Sequence, residues 1–228
     1  MEIIVIKNTG VPRAEIEAHQ QIQREFSSAK FSDGWRGYAA FALARRGSGS
    51  GDDDFDLVLV THSTIVAIEL KNWNGKTLVS DGQNWFINGQ SRPSPVNSIN
   101  LKAKKLFPVI QQKLGVELTP FIKAFVVMHG HIETMELTDD EKKSVLTMTQ
   151  FLTFRYEKCY SKYIWGKPKF NPLDHLEKYD GFFKGPTFRP KDYFVDGFRP
   201  EPNPILEHPK KLYSEFKATA KDDSKKFG

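Results

Sequence analysis

Asp54-Phe-Asp-Leu-Val-Leu-Val60 and Ile65-Val-Ala-Ile-Glu-Leu-Lys71, joined by Thr61-His-Ser-Thr64, decide how this 228-residue chain is read. Phe55 to Val60 and Ile65 to Lys71 read as two apolar strands, and the four residues between them form a tight polar turn. A hairpin centred between His62 and Ser63 sets Asp56 opposite Glu69. Side chains opposite each other have Cβ atoms about 4.5–5.5 Å apart, where like charges repel. Two carboxylates so placed imply either a raised pKa or a cation between them. Lys71 follows Glu69 by two residues, so strand period puts both on one face. Two acids and a lysine converging on one sheet face resemble a metal-dependent hydrolytic site.

Outward from the hairpin, the pattern alternates between helix and strand. Residues 3–6 read as a short strand or arm. Ala14 to Phe26, after Pro12, reads as a helix. Tyr38 to Arg45 alternates as a first strand, and Gly47 to Gly51 is a flexible Gly-Ser loop. Trp73 to Pro95 is turn-rich, with a small hairpin at Asn88-Gly89. Val96 to Leu114 carries Ile99, Leu106, Val109, Ile110 and Leu114 at helical spacing, with Pro108 expected to kink or divide it. Lys102, Lys104, Lys105 and Lys113 are expected elsewhere on its surface. Phe121 to Met128 is a near-continuous apolar run, expected to be buried on both faces. Thr138 to Glu141 resembles a helix start, and Met148 to Tyr163 reads as an aromatic-rich helix. Residues 165–209 are rich in proline and read as extended or irregular chain. Lys210 to Lys221 reads as a last helix.

Composition narrows the class. Hydrophobic residues make up 39% of the chain and aromatics 13%, enough for a packed core. The formal net charge of +5 favours a polyanionic partner, nucleic acid first. One cysteine, Cys159, excludes an intramolecular disulfide and a cysteine-rich zinc site. No apolar run is long enough to span a bilayer, and the N-terminus lacks a signal pattern. The expectation is a cytoplasmic protein with no membrane partner.

The order helix, strand, hairpin, helix, strand resembles the αβββαβ core of the restriction-endonuclease-like, PD-(D/E)xK nucleases. Glu-x-Lys by itself is unspecific, because exposed strand faces carry such pairs. The local wording is more specific and resembles the nuclease-related domain (NERD) family. Pro12-Arg-Ala-Glu15 looks like the family's opening helix, Asp54-Phe-Asp56-Leu-Val-Leu its acidic strand, and Ile65 to Lys76 the strand and turn that follow. Trp85, Ser94-Pro95 and Leu106 look like its later segment. The resemblance covers about residues 12–128. One departure is Ser98, where the family commonly has Gln three residues after the proline; Asn97 or Asn100 would stand in.

The resemblance implies an α/β fold with a mixed central sheet and a helical and Pro-rich C-terminal extension. It divides the chain into a nuclease core over 1–135, a helical extension over 136–165 and a Pro-rich segment with a terminal helix over 166–228. It implies hydrolysis of DNA phosphodiester bonds with Mg²⁺ or Mn²⁺, RNA remaining an alternative. Asp56, Glu69 and the Leu70 carbonyl would hold the ion, and Lys71 would orient water and steady charge on the phosphate. Glu15 would reach in from the first helix, with Glu17 on a different face. Asn72, Trp73, Asn97, Lys102 and Lys105 are the nucleic-acid-binding candidates, although Trp73 also reads as a packing aromatic and a lysine-rich face as solvated surface. Asp52 to Asp54 read as a solvated loop end rather than extra ligands, although Asp54 matches the family's acidic position and could hold the local water network, and His129 and His131 read as loop residues. A homodimer stays open, because paired cuts by this fold often need two copies. So does a non-catalytic nucleic-acid-binding or regulatory module of a larger kinase or helicase protein. Similar proteins occur in bacterial phage-defence systems, and the chain is expected to continue into a further domain.

Overall fold

In a computed structural model, residues 1–6, 11–43, 54–164, 169–191, 198–207 and 214–220 are described. The elements run β1 (Glu2–Val5), α1 (Arg13–Ser27), β2 (Arg36–Leu43), β3 (Asp54–Val60), β4 (Ile65–Lys71), β5 (Gly75–Ser80), β6 (Asn84–Ile87) and β7 (Gln90–Pro93). They continue with α2 (Pro95–Leu114), β8 (Ile122–Met128), β9 (Ile132–Glu136), β10 (Val145–Thr147), α3 (Met148–Leu152), α4 (Glu157–Tyr163) and α5 (Leu176–Phe183). Last come β11 (Phe188–Pro190), β12 (Phe198–Glu207) and β13 (Ser214–Ala220).

The central mixed sheet has the order β1-β2-β3-β4-β8-β10, with β11 also paired to β2. The two long hairpin partners are antiparallel, while β4 and β8 run parallel because α2 carries the chain across. The β3–β4 register is the one read from the sequence: Leu57 pairs with Ile68 and Val60 with Ile65. Apolar residues of opposite parity then feed two cores. Leu57, Leu59, Val66 and Ile68 pack with Ala18, Ile22 and Phe26 of α1 and Phe151 of α3. Val58, Val60, Ala67 and Val126 pack with Ile99, Leu106 and Ile110 of α2 and Tyr179 and Phe183 of α5. Burial of each such side chain stabilises the fold by roughly 1.5–3 kcal/mol before chain entropy is subtracted.

One rung breaks this alternation. Tyr38 and Val58 face the α2 core, but beyond Ala40 and Asp56 it is Phe41 and Phe55 that do so. The ladder pairs Ala39 with Leu57 and Phe41 with Phe55, skipping the rung between. Ala40 has φ 58°, in the left-handed region, where its Cβ is crowded and the conformation costs roughly 1–2 kcal/mol. The kink at Ala40 therefore lies beside Asp56.

Several sequence readings need correction. α2 is continuous through Pro108, which lies on its exposed side. Met148 to Tyr163 is two short helices split by a 3-10 turn at Thr153–Arg155, and Glu141–Lys143 is a single 3-10 turn. Residues 165–209 are not simply irregular, since α5 and β11 lie within them and Tyr179, Phe182, Phe183 and Phe188 join the core. Ser214–Ala220 is a strand paired antiparallel with β12, not part of a last helix. A second sheet, β7-β6-β5-β9, replaces much of the turn-rich reading of 73–95. Its β6–β7 turn is Asn88-Gly89, with φ 51° and 75°, as the dipeptide predicts. The Gly47–Gly51 loop, Asp52 and Asp53 lie outside the described residues.

Candidate active site

An open pocket of about 350 Å³ lies where α1, β3, β4 and the start of the second sheet meet. Its lining includes Glu15, Asp54, Asp56, Glu69, Leu70, Lys71, Asn72, Trp73, His129 and Lys191. Thus Glu15, Asp56, Glu69, Leu70 and Lys71, read from three separate stretches, come together. A larger groove of about 510 Å³ between β1 and α1 has Arg24 as its one charged lining residue among those described and gathers no comparable set.

Asp56 is 2% exposed. The β3–β4 ladder ends at Leu57 and Ile68, and the Asp56 carboxylate takes over: its Oδ2 accepts from the Leu70 N–H at 2.7 Å. Its Oδ1 accepts from Lys191 Nζ. Burial opposes ionisation of Asp56, but the ammonium groups of Lys191, Lys71 and Lys102 together outweigh it and hold the carboxyl down at about 2. The alternative of a raised Asp56 pKa is therefore corrected. Glu69 is bound through both oxygens, Oε1 to Lys71 Nζ at 2.7 Å and Oε2 to Lys102 Nζ at 2.9 Å. The repulsion expected between facing acids is relieved by Lys191 on Asp56 and by Lys71 and Lys102 on Glu69.

Lys102 corrects a second expectation. It is 6% exposed and pairs with Asp54 Oδ1 and Glu69 Oε2, both at 2.9 Å, so it is not a surface contact for a phosphate backbone. Burial disfavours its charge, yet Glu69 and Asp54 raise its pKa above the ordinary lysine value. The signal was present: Ile99, Lys102, Ala103, Leu106 and Ile110 make one buried stripe at helical spacing. Ser98, Asn97 and Asn100 are exposed, and Asn97 donates to the Gly82 carbonyl at 3.2 Å. The α2 contribution to the acids comes from Lys102, one turn beyond Ser98. Neither Asn97 nor Lys105 lines the pocket.

Lys191 had no signal in the sequence. It follows β11, and its backbone N–H donates to the carbonyl of the kinked Ala40 at 3.0 Å. Besides Asp56, its Nζ lies 3.4 Å from Asp54 Oδ2 and 3.8 Å from Glu15 Oε2. Only a fold that returns the chain across more than a hundred residues makes this contact. His129, read as a loop residue, lines the pocket, held there by its N–H to the Lys71 carbonyl at 3.0 Å. Burial lowers its imidazole pKa, with Asp56 opposing and Lys71 adding. His19 lies behind Asp56. Burial takes its pKa down to about 4, so the neutral ring donates from Nε2 to the Asp56 carbonyl, 3.1 Å away.

At the mouth, Asn72 is exposed and Trp73 half-buried. The Trp73 ring packs edge-on against Trp85 and has Lys71 Nζ 5.8 Å and the Arg92 guanidinium 5.3 Å from its centroid. Gly130 is required beneath it: a Cβ there would lie 2.1 Å from the Trp73 carbonyl oxygen. Glu17 turns away and pairs with Arg13 at 2.7 Å.

The carboxylates of Glu15, Asp54, Asp56 and Glu69 are the hard oxygen donors that Mg²⁺ and Mn²⁺ prefer. Among the described residues no three acids, histidines or cysteines close up as a ready metal cluster. Between these acids stand ammonium groups, and Lys191 occupies the position of a cation among Glu15, Asp54 and Asp56. The donor set therefore fits a cation, with lysine as its stand-in.

The mixed α/β architecture, with its central seven-stranded sheet, is compatible with a restriction-endonuclease-like fold. The profile of the nuclease-related domain, NERD, matches residues 13–129, more than half of the chain. This chain belongs to the nuclease-related domain family. No curated protein matches it. Among solved structures it is similar to protein VC1899 from Vibrio cholerae, at 10% identity and a TM-score of 0.30. That match covers 64% of this chain and 31% of the other, so this chain spans about a third of the length of its solved relative.

Proposed function

We propose that this protein hydrolyses phosphodiester bonds of DNA with the aid of Mg²⁺ or Mn²⁺. The observation that carries the proposal is the convergence of Glu15, Asp56, Glu69 and Lys71 on one open pocket. Asp56, Glu69 and the Leu70 backbone would hold the ion, with Glu15 beside them. When bound, it supplies Lewis acidity to the phosphate and to a water. Glu69 Oε1 fixes Lys71 Nζ at the pocket wall, so a positive charge stands where the phosphate gains negative charge. Lys71 Nζ also offers protons to orient the attacking water. Asn72 and Trp73 border the route a strand would take. A cytoplasmic setting and a part in bacterial phage defence belong to the same proposal and rest on family kinship.

A second reading, a non-catalytic nucleic-acid-binding or regulatory module, draws support from the same lysines, which already neutralise much of the acidic set. Cleavage of plasmid, linear DNA and RNA with Mg²⁺, Mn²⁺ or chelator separates the two. Wild type should cut DNA only with metal, and Asp56→Asn, Glu69→Ala and Lys71→Ala should each lower the rate by about a hundredfold or more. Unchanged cleavage in Asp56→Asn or Lys71→Ala would reject the site.

A further inference from the structure

Asp56 has two carboxylate oxygens, and both are engaged. Oδ2 is held by the Leu70 N–H, a backbone group fixed within β4. Oδ1 is held by Lys191, which also faces Asp54 and Glu15. A divalent ion approaching Asp56 therefore competes for the oxygen that the ammonium holds. Lys191 differs from the other two site lysines in how it arrives. Lys71 and Lys102 project from the sheet and from α2, on either side of Glu69. Lys191 directly follows β11, a three-residue strand paired with β2. Phe188 anchors that strand against Phe41, Phe182 and Phe183. A flexible four-carbon stem lets the ammonium leave while the anchor stays.

We infer that Lys191 is the resident cation of this pocket and gates its loading, so that a divalent ion reaches Asp56 only by displacing the ammonium group. The inference deepens the metal-dependent reading above and rests on it. Once displaced, the ammonium remains tethered at the rim, where it is available to a phosphate. Removing it should strengthen metal binding, although a positive charge near a carboxylate ordinarily reads as part of the catalytic set.

The test is Mn²⁺ affinity of the full chain, read from the free-ion electron paramagnetic resonance signal, in wild type, Lys191→Met and the remote control Lys184→Met. Lys191→Met should bind Mn²⁺ tighter by about tenfold or more, with Lys184→Met like wild type. A second measurement uses wild type alone, against the chance that Lys191→Met misfolds. Acetylation of Lys191 by an amine-reactive ester, mapped by peptide mass, should rise severalfold when Mn²⁺ is added. Equal or weaker Mn²⁺ binding in a folded Lys191→Met, or Lys191 acetylation indifferent to Mn²⁺ in a protein that binds it, overturns the gating and leaves the nuclease reading standing. Absence of Mn²⁺ binding in all three proteins overturns both.

Discussion

Lys102 shows how one position changes meaning when its surroundings are known. As one lysine on a lysine-rich helix it reads as surface. As a buried ammonium between Asp54 and Glu69 it is half of an ion network in a medium that screens poorly. Removing one partner of a buried pair leaves charge uncompensated and costs about 3–5 kcal/mol. Lys102→Ala should therefore lower stability by that order in urea unfolding, a loss that a surface phosphate contact would not produce. Glu141 gives a second residue-scale expectation. It is 4% exposed and accepts from Trp85 Nε1 and Ser94 Oγ at 2.8 Å each, and from Thr138 Oγ1 at 3.1 Å. Burial pushes its carboxyl up, but hydrogen bonds from Ser80, Trp85, Ser94 and Thr138 together bring it below the ordinary glutamate value of 4.5. A depressed folded pKa adds stability that is complete above the unfolded value and lost as pH falls through the folded one. Glu141→Gln should cost about 1–3 kcal/mol at neutral pH, and its stability should decline less steeply than wild type below about pH 4.5.

At the scale of elements, the hairpin was legible because two apolar runs flank a four-residue polar turn, which fixes both pairing and register. The α2 helix was legible from its apolar spacing, but the effect of Pro108 was overestimated. Proline removes the hydrogen bond to the Lys104 carbonyl, and packing of Ile99, Leu106 and Ile110 holds the helix together regardless. The cost remains in the folded state. Pro108→Ala should raise stability by about 2 kcal/mol, the interior-proline penalty less the gain in unfolded-chain freedom, as read by thermal or urea unfolding. The α5 helix escaped because prolines on both sides outweighed an eight-residue pattern. Phe183 packs onto Tyr38 and Phe41, and Tyr179 and Phe182 join the same core, a tertiary effect that local spacing does not carry.

At the scale of the whole molecule, the site was half legible. Asp56, Glu69 and Lys71 belong to one local stretch, and Glu15 came with the family's opening wording. Lys191 and the inward turn of Lys102 depend on how distant segments return. The segment around α5 and β11 belongs to the core of the described structure, since Tyr38 stacks on Phe183 at 4.2 Å and its hydroxyl donates to Asp180 at 2.7 Å. A chain ending at residue 164 would uncover Tyr38 and Phe41 and lose several large buried aromatics, each contributing about 3–5 kcal/mol. Such a truncation should fail to show a cooperative melt and should be cleaved rapidly in limited proteolysis. A sharp melt near that of the full chain would show that the later segment is an appendage.

Counting the charges around the pocket has one more consequence. Glu15, Asp54, Asp56 and Glu69 face Lys71, Lys102 and Lys191, which leaves the cavity within one unit of electroneutrality. A polyanion drifting toward it meets little local attraction or repulsion. The whole chain sums to +5, so the residues outside this set carry about +6, and any long-range pull comes from them and fades as added salt shortens the reach of each charge. On the proposed nuclease reading, capture and chemistry fall to different parts of the molecule, and ionic strength should slow the first without touching the second.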